Sequence, residues 1–134
     1  MKKLYIILIL RIGFHNIVSG QCTPNSNIGN ALMSPEKLED AMIGSYYSQV
    51  ITFRIPTDSM IDYNGTPVHA TIDSMRMLAI LGIPPGYSYA CNNTSCTWAG
   101  GTLGCALIEG LIGIPDSARV GEYQIKMYVK TWEG

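Results

Sequence analysis

From residue 49 to residue 55 the chain reads QVITFRI, with Ile51, Phe53 and Ile55 on one side and Val50, Thr52 and Arg54 on the other. A period of two is that of a strand with one buried face. Pro56, which has no amide hydrogen to offer a ladder, ends it. The same period returns in residues 67–77, PVHATIDSMRM, where Val68, Ala70 and Ile72 share a face after the turn residues Tyr63-Asn64-Gly65-Thr66. Residues 78–83 form a short apolar run closed by Pro84-Pro85-Gly86, which predicts a buried strand. Two more strands are expected at residues 87–91 and 105–109. The clearest alternation is the last, in residues 122–132: Tyr123, Ile125, Met127 and Val129 face inward, and Gln124, Lys126 and Lys130 face water. Tyr46 and Tyr47 pack at the start of the first strand.

Ahead of the strands, residues 21–33 are polar and irregular. Ser34-Pro35-Glu36 then has the chemistry of a helix start: a hydroxyl cap, a proline at the first position and an acid in the first turn. It predicts a short helix over residues 36–42, stopped by Gly44. Half-polar strands joined by Gly/Pro turns predict an all-β fold, an antiparallel β-sandwich, and not a βαβ unit.

The first twenty residues follow neither period. Lys2 and Lys3 precede the apolar run of residues 4–10, and Val18 and Gly20 stand three and one residues before Gln21. That is the pattern of an export signal cleaved near Gly20. Arg11 and His15 interrupt an apolar run already too short to span a bilayer. Gln21 stands ahead of Cys22, so no cysteine follows the cleavage directly to accept a lipid. The expected organisation is a signal at 1–20, an N-terminal segment with a short helix at 21–45, and one sandwich domain at 46–134. Removing the signal leaves six basic against ten acidic residues, a net charge of −4. With no Lys/Arg cluster, that charge argues against nucleic acid and against an anionic membrane surface. No integral membrane span is expected beyond the signal.

Export changes the reading of the cysteines. Cys91, Cys96 and Cys105 lie in CNNTSCTWAGGTLGC, and Cys22 lies far upstream. A zinc site wants C-x-x-C pairs or histidines nearby, and a thioredoxin-like centre also wants C-x-x-C. The spacings here are C-x4-C and C-x8-C, and His69 is the one histidine beyond the signal. Two disulfides are therefore expected among Cys22, Cys91, Cys96 and Cys105. Three connectivities remain open, with Cys96–Cys105 closing the loop and Cys22 reaching Cys91 as the preferred one.

GIPPGYSY (82–89), GCALIEG (104–110) and GIPDSARVGEYQIKMYV (113–129) carry a resemblance. Their glycine–proline turns and the Gly-x-Tyr before the last strand are similar to the pattern of bacterial immunoglobulin-like, cadherin-like domains. With the cysteine-bearing loop, the chain resembles the variant in secreted, surface-associated Bacteroidota proteins, many of them exported by type IX secretion. The resemblance runs from about residue 46 to residue 132. It implies an immunoglobulin-like sandwich in which Gly86 and Gly121 adopt positive φ at turns entering strands. Relatives of this kind continue into a C-terminal sorting domain, so the chain, which stops at Gly134, is expected to be a piece of a longer protein or a very short stand-alone relative.

Catalytic chemistry is sparse. Residues 86–90 (GYSYA) echo a nucleophile elbow without its second glycine or following helix. His69 alternates outward on its strand, and no second base accompanies it. No enzyme activity, cofactor or metal is expected. Asp62-Tyr63-Asn64-Gly65 lacks the remaining oxygen ligands of a calcium loop and reads as a turn. Trp98, Tyr128 and Trp132 are the candidate binding aromatics, read as exposed and fit to stack on a sugar or anchor a protein. The alternative for them is cover over a neighbouring loop or domain. Asp58-Ser59-Met60, Asp73-Ser74-Met75 and Asp116-Ser117-Ala118 match the Asp-Ser-hydrophobic O-glycosylation form of the same bacterial group, with Ser59, Ser74 and Ser117 as acceptors. The expected role is a non-catalytic structural or binding module, secreted or at the cell surface, whose partner is a surface protein or polysaccharide. A carbohydrate-binding module and an accessory domain of a secreted hydrolase are the alternatives.

Overall fold

The computed structural model describes residues 22–110 and 120–134. The expected export signal and the Ser117 motif lie outside these residues. Eight strands follow in order: β1 (Met33–Ser34), β2 (Tyr47–Arg54), β3 (Asp58–Tyr63), β4 (Thr66–Leu81), β5 (Tyr87–Cys91), β6 (Thr97–Ala99), β7 (Leu103–Gly110) and β8 (Lys126–Glu133). Every pairing among them is antiparallel. One sheet has the order β1-β2-β7-β5, and the other is built on β4 with β3, β6 and β8. Ser74, Met75 and Arg76 pair with both β6 and β8, so those two strands flank β4 on opposite edges.

The two sheets share one core. Ile51 and Phe53 of β2, Ala106 and Ile108 of β7 and Cys91 of β5 meet Ile72, Met77 and Ile80 of β4 and Trp98 of β6. Phe53 and Trp98 bridge the sheets edge to face, with centroids 4.7 Å apart and planes at 81°. Gly104 makes room for them, since a Cβ there would lie 2.5 Å from Phe53 Cε2 and 2.7 Å from Trp98 Cε2.

Residues 66–81, expected as two strands, form one. Register shifts between Ile72 and Ser74 and between Met77 and Ala79 each place an extra residue in β4 opposite β8. Each bulge moves the alternation by one position. The inward residues thus run Ala70, Ile72, then Met75, Met77, then Ile80. Leu78, expected inside a buried strand, is a bulge residue and 56% exposed. In the same way β8 begins only at Lys126, and Tyr123 and Val129, expected inward, are largely exposed. Ile125 and Met127 do pack on the core.

No helix forms at residues 36–42. Ser34 pairs with Thr52 in the β1–β2 ladder and cannot cap a helix there. A seven-residue helix has little stability of its own to compete with that pairing. Residues 22–34 instead strap the outer face of the first sheet. Asn25 N donates to Thr52 Oγ1 at 2.9 Å, the Arg54 guanidinium donates to the Gly29 carbonyl, and Arg54 N donates to Leu32 O at 2.9 Å. Thr52, read as water-facing, is therefore only 1% exposed.

The disulfides are Cys22–Cys105 and Cys91–Cys96, not the preferred pairing. The register gives the reason. Cys91 lies opposite Ala106, so its side chain is on the inner face, whereas the neighbouring Cys105 points to the outer face. The strap delivers Cys22 to that outer face, where Cys22, Cys105 and Leu107 form a second small cluster.

The β3–β4 hairpin was not expected, although its turn is legible. Asn64 and Gly65 both have positive φ, 53° and 83°, as a two-residue hairpin turn requires. Its strand β3 is mostly exposed and so carries no hydrophobic signal. Gly86 has the expected positive φ of 86°, while Gly121 does not.

Loop length ranks the two staples. Removing the bridge that spans 83 residues, with Cys22→Ala and Cys105→Ala together, lowers stability by about 4 kcal/mol in urea denaturation. Removing the bridge that spans 5 residues, Cys91→Ala with Cys96→Ala, costs about 2 kcal/mol.

Candidate functional site

The three candidate aromatics part company. Trp98 is 6% exposed and belongs to the core, which corrects its expected role as an exposed loop aromatic. Its indole Nε1 donates to Asn92 Oδ1 at 2.7 Å, so its polar edge is satisfied from inside the loop. The loop itself is closed on its own groups. Thr97 N and Ser95 Oγ donate to Asn93 Oδ1 at 3.1 Å each, and Asn93 Nδ2 donates to Thr97 O at 3.0 Å. Tyr128 and Trp132 remain exposed, at 49% and 39%, two residues either side of Lys130 on β8. Lys130 Nζ sits 5.2 Å from the Trp132 ring centroid, a cation–π contact along the strand.

Other candidate residues are surface features. His69 and Asp58 lie 3.7 Å apart on the exposed hairpin. Asp62 Oδ1 accepts from Gly65 N at 2.6 Å, which is turn chemistry. Ser59 is exposed on β3, whereas Ser74 is half-buried and bracketed by Ala99 and Trp132. Among the described residues no group of three His, Cys, Asp or Glu side chains converges.

One concavity among the described residues was not read from the sequence. A cleft of about 730 Å³ opens between residues 36–43 and residues 120–125. Its floor is Leu38, Tyr47, Tyr87, Ile108 and Ile125, and Glu36, Glu39, Asp40 and Glu122 stand around it with Lys37. The sequence folds this way because Gly110 lies opposite both Tyr47 and Tyr87. A Cβ on Gly110 would be 2.5 Å from Tyr87 Cε1, so its absence lets the two rings meet edge to face at 5.6 Å. Tyr47 Oη donates to Glu39 O at 2.9 Å and Glu39 N donates to Gln49 Oε1 at 3.3 Å, which hold residues 36–43 against β2. The Tyr87 hydroxyl is buried with no hydrogen-bond partner among the described residues.

Burial raises the Tyr47 hydroxyl above its ordinary pKa of 10.0, and Tyr87, Glu39 and Asp40 add to the rise. Tyr87 is raised in the same direction by burial and by Tyr123. A smaller groove of about 290 Å³ lies between β1 and β8, lined by Met33, Met75, Met77 and Met127 with Leu32 and Val129. No helix among the described residues is long and apolar enough to cross a membrane. Comparison with family models, with curated proteins and with solved structures returned no match.

The tyrosine pair makes stability sensitive to base. A raised native pKa means its contribution is complete below pH 10 and is lost as pH rises through the raised values. Absorbance titration of the native chain is expected to show two tyrosinates forming above the ordinary pKa of 10.0. Tyr47→Phe is expected to remove one of them and flatten the alkaline fall in stability.

Proposed function

We propose that this chain is a non-catalytic extracellular module, an immunoglobulin-like sandwich of a secreted or cell-surface protein, that binds a partner or holds a neighbouring domain. The observation that carries the reading is the closure of all four cysteines in two disulfides, one of them tying the N-terminal strap to β7. Disulfides persist in oxidising compartments and are rare in reducing ones, and here one is the covalent tie of the strap. The two antiparallel sheets sharing one core suit the sandwich proposed.

Intact mass of the exported chain, with and without reduction after alkylation, tests it. The expected result is a chain starting at Gln21 with four masked thiols. Four alkylatable thiols would overturn the reading. Added mass at Ser59, the exposed acceptor, would extend it to a glycoprotein.

A second reading, polysaccharide binding, is favoured by Tyr128 and Trp132 standing exposed on one face of β8. Affinity electrophoresis in polysaccharide gels is expected to show Trp132→Ala retarded about tenfold more weakly than the parent, as one lost stacking contact implies. Unchanged retardation would remove β8 as the platform.

A further inference from the structure

We infer that the cleft over the Tyr47–Tyr87 pair is a docking groove for an extended peptide segment of a partner protein, one that carries arginine between apolar side chains; this rests on the reading of the chain as a binding module. Charge complementarity names the occupant. Among the described residues, four carboxylates, those of Glu36, Glu39, Asp40 and Glu122, surround the cleft against the single Lys37. None of the four has a cation within ion-pair distance among the described residues, whose one ion pair is His69–Asp58. The chain beyond residue 20 carries a net −4, which draws a cationic segment from a distance and repels a polyanion.

The floor selects further. Leu38, Ile108 and Ile125 offer apolar contact, and Tyr47 and Tyr87 add aromatic rings, whose faces attract a cation. A guanidinium is planar, weakly hydrated and rich in donors, so it can stack on a tyrosine and still reach a carboxylate. Glu39 and Asp40 lie close enough to add to the rise in the Tyr47 pKa, behind burial and Tyr87. The cleft of about 730 Å³ has room for a ligand with several side chains.

The test is an amide-shift titration of the oxidised chain with acetyl-Leu-Arg-Ile-Arg-Leu-amide, at low and high salt, beside the same peptide with Glu for Arg. Shifts are expected to cluster at residues 36–43, 47, 87 and 120–125, and affinity to fall as salt rises. The Glu peptide, and the variant combining Glu39→Gln with Asp40→Asn, are each expected to bind about tenfold more weakly or worse. Both substituted side chains are exposed, and the dispersion of the same spectra reports whether the variant is folded. Equal binding of the Glu peptide, or no shifts with the Arg peptide, overturns the groove. Shifts centred on Tyr128 and Trp132 overturn it too, while leaving a binding module in place. Failure of the extracellular reading shows separately, as alkylatable thiols in the same preparation.

Discussion

Strand β7 must be kept dry on both faces, and much of the rest of the molecule follows from that demand. It lies between β2 and β5 in its sheet. Ala106 and Ile108 face the shared core, and Cys105 and Leu107 face the opposite way and are also buried. A strand near the centre of a two-sheet fold normally leaves its outer side to water. Here the segment ahead of β1 covers it, held at Cys22–Cys105, at Thr52 and at Arg54. The staple is therefore part of how the fold makes a third layer from a dozen irregular residues.

The inner face of β7 imposes a second condition. Gly104 and Gly110 stand at its two ends, and each is covered by aromatic rings from neighbouring strands. At one end Phe53 and Trp98 join the sheets, and at the other Tyr47 and Tyr87 meet. The two ends differ in what lies above them. Over the first, β6 and the stapled loop close the core. Over the second, residues 36–43 and 120–125 stand apart and leave the acidic cleft. A single small-residue device thus completes the core at one end and leaves an open cleft at the other.

Much of the candidate chemistry was legible only as residue type. Tyr128 and Trp132 were read as exposed because strand alternation places them opposite Ile125, Met127 and the core, and they are exposed. Trp98 was misread because a tryptophan inside a loop has no period to report its direction. Its partner Asn92 lies six residues away, but the ring it packs on, Phe53, belongs to the other sheet. The cleft left no local signal at all. Its carboxylates come from residues 36–40 and residue 122, and the glycine that shapes it is on a third element.

The sequence by itself determined the class of fold, because a period of two needs only neighbouring residues to show which face is buried. It determined that the cysteines pair, because their spacing fits no metal or redox motif, and it contained the Asn64-Gly65 hairpin turn. Tertiary structure decided which cysteines pair, because Cys91 and Cys105 stand on opposite faces of one sheet and no spacing rule reveals a face. It decided the length of β4, because two bulges that match it to β8 reset the alternation within the strand. It also took Ser34 from a helix cap into a ladder, because pairing with Thr52 under a disulfide-held strap outweighs one turn of local propensity.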